Sequence, residues 1–135
     1  ELAIDEFGTL QNIEVNPANV VTDSVAQAAH TMSNHLGAAA IIAVTETGFT
    51  ARMISKYRPR CPILAVTGSD SVVRKLAMNW GVYAVKADGT DEERVQIALQ
   101  HALKMNLAAA EDIVVATGGI SHRSGATNMI RVVTV

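Results

Sequence analysis

Four short apolar runs in this 135-residue chain alternate with segments in which apolar residues recur at helical spacing. The runs are rich in β-branched residues, which is typical of strands buried on both faces of a parallel sheet. The sequence predicts these strands at 40–44, 62–67, 82–85 and 112–117. Strands that alternate with helices pair in parallel through right-handed crossovers, and the helices cover the sheet. The alternation therefore predicts an α/β fold.

The end of the chain departs from this alternation. A segment rich in glycine and serine, 118–127, joins the fourth strand directly to a terminal strand at 129–135. Two strands joined without a helix form an antiparallel pair. The predicted fold class is therefore α/β: a three-layer α/β/α sandwich around a five-stranded, mostly parallel sheet with an antiparallel last strand. Such sheets bind ligands beyond the carboxyl ends of their strands.

Capping signals bound the predicted helices. Thr22 or Asp23 is expected to start a helix that ends at Leu36, and Thr90 and Glu93 form a capping box. The second helix is predicted from Ala51 to Tyr57, and the third begins at a cap formed by Ser69 or Asp70. Inward-facing stripes are predicted on the first, third and fourth helices: Val25, Ala28, Ala29, Met32 and Leu36; Val72, Val73, Leu76, Ala77 and Trp80; and Val95, Ala98, Leu99, Ala102 and Met105.

The first twenty residues lack this pattern. We interpret 1–20 as an N-terminal arm or linker and 21–135 as one domain. The formal net charge of −2 gives no general attraction to nucleic acid, and no apolar run approaches the length needed to cross a membrane. The single cysteine, Cys61, excludes an internal disulfide and fits a reducing compartment. We therefore expect a cytoplasmic protein.

The turn after the first strand is a candidate phosphate site. The N–H groups of the first helical turn, the positive end of the helix dipole and three threonine hydroxyls could converge on one anion. The same residues could instead cap their own helix, with Thr47 as the N-cap. The candidate residues are Thr45, Glu46, Thr47, Gly48, Phe49 and Thr50.

The segment 118–127 supplies a second candidate group. Arg123 could bind a second phosphate through two parallel hydrogen bonds, or the segment could be a mobile surface hairpin. If the first and fourth strands are neighbours, this segment faces the turn at 45–50. Its candidate residues are Gly119, Ser121, His122, Arg123, Ser124, Gly125 and Thr127.

Motifs of known catalytic sites are missing from the sequence. It contains no Gly-x-x-x-x-Gly-Lys-Ser/Thr loop, no Gly-x-Gly-x-x-Gly after a strand and no Gly-x-Ser-x-Gly elbow. His30 and His35 are five residues apart, so they do not share one helix face as two metal ligands would. We therefore predict no catalytic residues and no metal ligands in this chain.

Several motifs, in order, resemble the C-terminal domain of pyruvate kinase from about Val20 to the end. They are TETGFTAR at 45–52, SKYRP at 55–59, the strand at 62–67, WGV at 80–82, and Gly-x-Thr-Asn at 125–128 with the strand after it. The resemblance implies that the first and fourth strands are adjacent. It also implies that the turn at 45–50 holds a phosphate of a sugar-phosphate effector and that 118–127 closes over the rest.

The resemblance further implies subunit contacts within a homotetramer. The parent enzyme would transfer phosphate from phosphoenolpyruvate to ADP in glycolysis, using Mg²⁺ and K⁺ in a catalytic barrel outside this chain. By itself, a regulatory domain of this kind would transfer no phosphoryl group. Two alternatives are a freestanding α/β module that binds a small phosphometabolite, and a purely oligomerising domain with an empty effector site.

Two residues depart from the family pattern. Glu46 places a carboxylate in the phosphate turn, and like charges about 4 Å apart repel by roughly 4 kcal/mol at an effective dielectric near 20. Within the family, an acid here resembles the forms that fructose 1,6-bisphosphate does not activate. Phe49 replaces a position that is often small or basic. A monophosphate such as AMP or ribose 5-phosphate, or no effector, then becomes an equal alternative.

Overall fold

The computed structural model describes residues 17–118 and 127–135, without the side chains of 17–19. Within these ranges no helix is long and apolar enough to cross a membrane. The helices are α1 (Pro17–Leu36), α2 (Phe49–Lys56), α3 (Asp70–Leu76) and α4 (Asp91–Lys104). The strands are β1 (Ala40–Val44), β2 (Ile63–Thr67), β3 (Val82–Lys86), β4 (Ile113–Gly118) and β5 (Met129–Thr134).

The five strands form one sheet in the order β3-β2-β1-β4-β5. The first four strands are parallel, and β5 pairs antiparallel with β4. The predicted fold class is confirmed, including the antiparallel last strand and the adjacency of β1 and β4. The bounds of β1 are those predicted, and the predicted bounds of the other strands differ from the structure by one residue at one or both ends.

Helices cover both faces of the sheet, and a core lies on each side. On one face α1, α2 and α3 pack on alternate residues of the inner strands, such as Ile41 and Ile63. On the other face α4 packs on the residues between them, such as Ile42 and Leu64. Because all five residues of both β1 and β2 are buried, these strands carry continuous apolar runs rather than alternating ones.

Helix α1 differs from its prediction in start and in face. It begins at Pro17, where the missing N–H costs no helical hydrogen bond, and it continues across the 20/21 boundary of the expected arm. The predicted cap at Thr22 or Asp23 was wrong because both residues lie within the helix, and the predicted inward residue Leu36 is 40% exposed. Small side chains let α1 approach its neighbours closely. The fully or almost fully buried residues are Thr22, Ala26, Ala29 and Ser33.

Helix α3 has the predicted cap but is shorter than predicted. The Ser69 hydroxyl accepts a hydrogen bond from the Val72 N–H at 3.3 Å. The assignment of Trp80 to the core was wrong, because α3 ends at Leu76 and the indole, 47% exposed, lies beyond it. The Arg58 guanidinium covers the indole ring at 5.2 Å. Ala77, also predicted to face inward, is exposed for the same reason.

Helix α4 begins with the predicted capping box. The Glu93 carboxylate accepts from the Thr90 N–H at 2.8 Å, and the Thr90 hydroxyl accepts from the Glu93 N–H at 3.2 Å. The expected inward position of Met105 was wrong: it follows the last helical residue and is 41% exposed. The other four residues of the predicted stripe, Val95, Ala98, Leu99 and Ala102, are buried.

Candidate functional site

Strands β1 and β4 are parallel neighbours, in register from Ala40–Val114 to Ala43–Thr117. The turn after β1 and the segment after β4 therefore leave the sheet on the same side, at the carboxyl ends of the parallel strands, which we call the carboxyl edge. A buried hydrogen bond of 2.6 Å joins the two segments through the hydroxyls of Thr50 and Thr127. Two of the predicted site residues, 77 positions apart in the chain, are therefore in contact.

The turn after β1 ends in a glycine N-cap rather than a threonine one. Gly48 is the N-cap of α2 in a left-handed conformation with φ of 89°, and the Thr45 hydroxyl accepts from its N–H at 2.9 Å. The predicted N-cap at Thr47 was therefore wrong, although its hydroxyl accepts a longer bond, 3.4 Å, from the Phe49 N–H. Because glycine tolerates the left-handed conformation, α2 begins two residues before the predicted Ala51.

The three threonine hydroxyls of this turn do not all face one point in solvent. Thr45 and Thr50 are buried and bonded within the protein, and Thr47 is exposed. The first main-chain hydrogen bond of α2 runs from the Arg52 N–H to the Gly48 carbonyl. The N–H groups before Arg52 therefore take no part in the main-chain hydrogen bonds of the helix. The N–H groups of Gly48 and Phe49 already donate to threonine hydroxyls. The turn therefore offers an anion the Thr47 hydroxyl and the next two main-chain N–H groups, those of Thr50 and Ala51, at the start of an eight-residue helix.

Glu46 does not stand alone in this turn. Its carboxylate accepts a hydrogen bond of 2.8 Å from Nη1 of Arg94 on α4. The Arg94 side chain is 8% exposed and that of Glu46 is 33% exposed, so Glu46 lies on the solvent side of the pair. The carboxylate that was expected to repel a phosphate is thus held by a buried cation.

The sequence interpretation did not identify Arg94 as a site residue. A signal was present, because Arg94 precedes the predicted inward residue Ala98 by one helical turn. A charged residue on a buried stripe is rarely left without a partner. The partner could not be found from the sequence, because Glu46 is 48 residues away.

The Arg94 guanidinium lies where three turns of the carboxyl edge meet. A Cβ added to Gly68, after β2, would lie 3.2 Å from Arg94 Nη2 and 2.8 Å from a carboxylate oxygen of Asp88, after β3. Among the described residues, Arg94 Nε is buried without a hydrogen-bond partner. One arginine is therefore in contact with the turn after β1 and close to the turns after β2 and β3.

A small cavity of about 130 Å³ lies at the same edge, on the α4 side of the sheet. Its lining residues include the apolar Val44 and Val95 and the charged Asp91, Glu92 and Arg131. Glu92 is paired with Arg131 of β5 at 2.8 Å. Because Val44 directly precedes Thr45, this cavity adjoins the turn after β1.

The remaining predicted site residues, Gly119, Ser121, His122, Arg123, Ser124 and Gly125, lie outside the described residues. Within the part of the chain that is described, no three His, Cys, Asp or Glu side chains are grouped so as to hold a metal ion. Cys61 is half-buried, and burial raises the pKa of its thiol, which favours the unreactive protonated form.

Comparison with known proteins identifies relatives for most of the chain. Residues 23–133 match the family model described as "Pyruvate kinase, alpha/beta domain". The chain is 38% identical over 135 residues to a pyruvate kinase of Clostridium acetobutylicum, an alignment that covers 98% of this chain and 28% of that protein. It is 42% identical over 118 residues to a pyruvate kinase of Bacillus licheniformis, covering 85% of this chain and 20% of that protein.

A pyruvate kinase of Geobacillus stearothermophilus is 37% identical over 136 residues, covering 98% of this chain and 23% of that protein. The chain therefore spans between a fifth and somewhat more than a quarter of the length of these curated relatives.

Proposed function

This chain belongs to the pyruvate kinase α/β domain family, and from that premise we propose that it is a regulatory domain which binds a phosphorylated metabolite at the carboxyl edge of its sheet. The observation that carries the proposal is the hydrogen bond between Thr50 and Thr127. It joins the two chain segments that the sequence predicts as the effector site.

The chemistry of the α2 start supports one phosphate at this edge. The main-chain N–H groups of Thr50 and Ala51 and the exposed Thr47 hydroxyl are donors, and the positive end of the helix dipole favours an anion. The neighbouring cavity of about 130 Å³ is a place for the uncharged body of a small ligand. Its wall carries Asp91 and the ion pair of Glu92 with Arg131. Carboxylates accept hydrogen bonds from the hydroxyl groups of a ligand, and the arginine's charge is already balanced by Glu92, so the wall has no surplus positive charge for a second phosphate. We therefore favour a monophosphate, such as ribose 5-phosphate or AMP, over fructose 1,6-bisphosphate.

We infer that the parent protein is a pyruvate kinase that transfers phosphate from phosphoenolpyruvate to ADP in the cytoplasm. The reaction and its Mg²⁺ and K⁺ ions would belong to a catalytic barrel outside the residues of this chain. This domain would transfer no phosphoryl group itself and would act on the barrel through the parent's subunit and domain contacts.

A second role, in subunit assembly, is supported by the edge strand β5. Its outer edge is unpaired in the described chain, and Met129 and Val132 are 44% and 47% exposed. Exposed apolar residues on an edge strand favour pairing with another chain. We expect Val132→Lys to shift the sedimentation coefficient of the chain towards that of a monomer. An unchanged value in an oligomeric sample would remove β5 from the interface.

The binding proposal is tested by thermal melts of the whole chain with ribose 5-phosphate, AMP, glucose 6-phosphate and fructose 1,6-bisphosphate. A ligand at about a hundred times its dissociation constant adds roughly 2.7 kcal/mol to the free energy of unfolding. We expect a monophosphate to raise Tm by several degrees. If none of the four compounds raises Tm, the effector role is wrong.

Matched threonine variants locate the site. Thr47→Ala removes an exposed hydroxyl from the α2 turn and should reduce the shift in Tm. Thr134→Ala removes an exposed hydroxyl from the end of β5. Thr134 pairs with Ile113, the first residue of β4, so it lies at the amino ends of the parallel strands, away from the carboxyl edge. This variant should leave the shift unchanged. Equal shifts in the two variants would place the ligand away from the α2 turn.

A further inference from the structure

Arg52 places a positive charge beside the start of α2. Its side chain is exposed, and its Nη1 donates to the Thr47 carbonyl at 3.4 Å, which is long for a hydrogen bond. A Cβ added to Gly48, the N-cap of α2, would lie 3.2 Å from the same Nη1. The guanidinium of this fourth helical residue therefore folds back over the turn that precedes the helix.

The position of Arg52 is electrostatically unfavourable in the protein without ligand. The N-terminal end of a helix carries a partial positive charge, so a cation there is destabilising and an anion is stabilising. The first turn of α2 contains no acidic residue, and the described carboxylates form no salt bridge with Arg52. The helix end and the guanidinium thus lie together without a counter-ion among the described residues.

Arg94 occupies the equivalent place in α4 and is treated differently by the fold. It is also the fourth residue of its helix, and it is paired with Glu46 at 2.8 Å. Three acidic residues, Asp91–Glu93, precede it in the first turn. The protein therefore balances the charge of Arg94 with its own carboxylates, whereas the described part of the chain supplies no carboxylate to Arg52.

We propose that Arg52 is an anion-binding residue of the candidate site, and that its charge is balanced by the phosphate of a ligand at the α2 turn. The Thr47 hydroxyl and the main-chain N–H groups of Thr50 and Ala51 are neutral donors. Arg52 adds a charge-assisted hydrogen bond, which is shorter and stronger than the bonds that neutral donors make. The inference rests on the proposed phosphate site at this turn.

This role gives Arg52 opposite effects on the protein with and without ligand. Its charge is repelled by the helix end in the protein without ligand and is attracted by the phosphate in the complex. Arginine and glutamine have similar helix propensities, so Arg52→Gln changes the charge with little change in the tendency to form a helix. Without ligand, the variant should melt at the temperature of the wild type or slightly above it, although it binds phosphate more weakly.

The test is an NMR titration of the whole chain with inorganic phosphate and, separately, with ribose 5-phosphate. Arg52→Gln should bind both compounds roughly tenfold more weakly than the wild type, because a charge-assisted hydrogen bond is lost. Arg60→Gln is the matched control. It removes an equal charge from an exposed arginine just before β2, at the amino ends of the parallel strands, and should bind as the wild type does.

Arg52→Lys keeps the charge and should retain more of the affinity than Arg52→Gln. Four results would overturn the proposal. They are unchanged binding in Arg52→Gln, an equal loss of affinity in Arg60→Gln, equal losses in the lysine and glutamine variants, and a Tm of Arg52→Gln without ligand that falls below that of the wild type. The last result would show that Arg52 supports the fold rather than the ligand.

Failure of this inference is distinguishable from failure of the effector role. If ribose 5-phosphate binds the wild type and Arg52→Gln equally, the effector role stands and this inference fails. If inorganic phosphate binds the wild type more tightly than Arg52→Gln but no phosphorylated metabolite binds, this inference stands and the effector role fails. If neither compound binds the wild type, both fail.

Discussion

The Thr50 hydroxyl of α2 lies 2.6 Å from the Thr127 hydroxyl just before β5, and both side chains are buried. This contact fixes the turn after β1 against the chain that enters the last strand. It is the shortest described link between the two segments that form the candidate site.

Replacing Thr50 by valine should lower Tm. The change keeps the side-chain shape but leaves the Thr127 hydroxyl buried without its partner, which costs about 1–3 kcal/mol. The variant with valine at both positions should lose less than the sum of the single variants, because neither hydroxyl is then unpaired. Additive losses in a double-mutant cycle would show that the two hydroxyls are not coupled.

Alanine variants of Gly48 and Gly37 distinguish the cost of backbone strain from the cost of packing against neighbouring side chains. Both have positive φ, 89° and 64°, so an alanine at either position costs about 1 kcal/mol of conformational strain. A Cβ at Gly48 would also lie 3.2 Å from atoms of Arg52, Val72 and Leu76, whereas none lies within 4 Å at Gly37. In urea unfolding we expect Gly48→Ala to lose more stability than Gly37→Ala. Equal losses would show that the turn is not packed against α3.

The capping box of α4 should make stability depend on pH. Hydrogen bonds from the Thr90 N–H, and secondarily from its hydroxyl, hold the pKa of Glu93 below its ordinary value. A lowered pKa in the folded state stabilises the protein above the pKa of the unfolded chain, and this contribution is lost as the pH falls through the folded pKa.

Melting curves between pH 7 and pH 3 would measure this effect. The difference in Tm between the wild type and Glu93→Gln should be largest near pH 7 and shrink below about pH 4.3, the ordinary value for glutamate. A difference that is constant over the whole range would show that Glu93 does not contribute through its charge.

Tyr57 joins α2 to α1. Its hydroxyl donates to the Asp23 carboxylate at 2.8 Å, and its ring stacks on that of His30 with centroids 5.9 Å apart. Tyr57→Phe keeps the stack and removes the hydrogen bond, so we expect a loss of about 1 kcal/mol in the free energy of unfolding. Tyr83→Phe, at an exposed position on β3, is the control and should change stability little. Equal losses would mean that the bond to Asp23 contributes nothing specific.

Much of the fold follows from local patterns that the sequence displays. The continuous apolar run at Ala40–Val44 predicted β1 with its bounds, and the Thr90–Glu93 pair predicted the start of α4. The Ser69 cap was equally clear. These features depend on residues within a few positions of one another, so they are readable without knowledge of the tertiary structure.

The failures came from the tertiary structure or from competing local conformations. Trp80 fitted the stripe of α3, but the helix ends before it and the Arg58 guanidinium covers the exposed ring. Thr47 is a suitable cap, but Gly48 adopts the left-handed conformation and takes that position. Glu46 was interpreted as an isolated charge because its partner Arg94 is distant in sequence, and that contact changes how its effect on ligands is understood.

The most direct test of the effector role is an NMR titration of the chain with ribose 5-phosphate and, separately, AMP, followed by main-chain amide shifts. A ligand at the carboxyl edge should change the chemical shifts of the amides of 45–50 and of Thr127. The amides near Thr134, at the amino ends of the parallel strands, should keep their chemical shifts. If neither compound shifts the amides of 45–50, or if the shifts cluster near Thr134, the carboxyl edge is not the effector site.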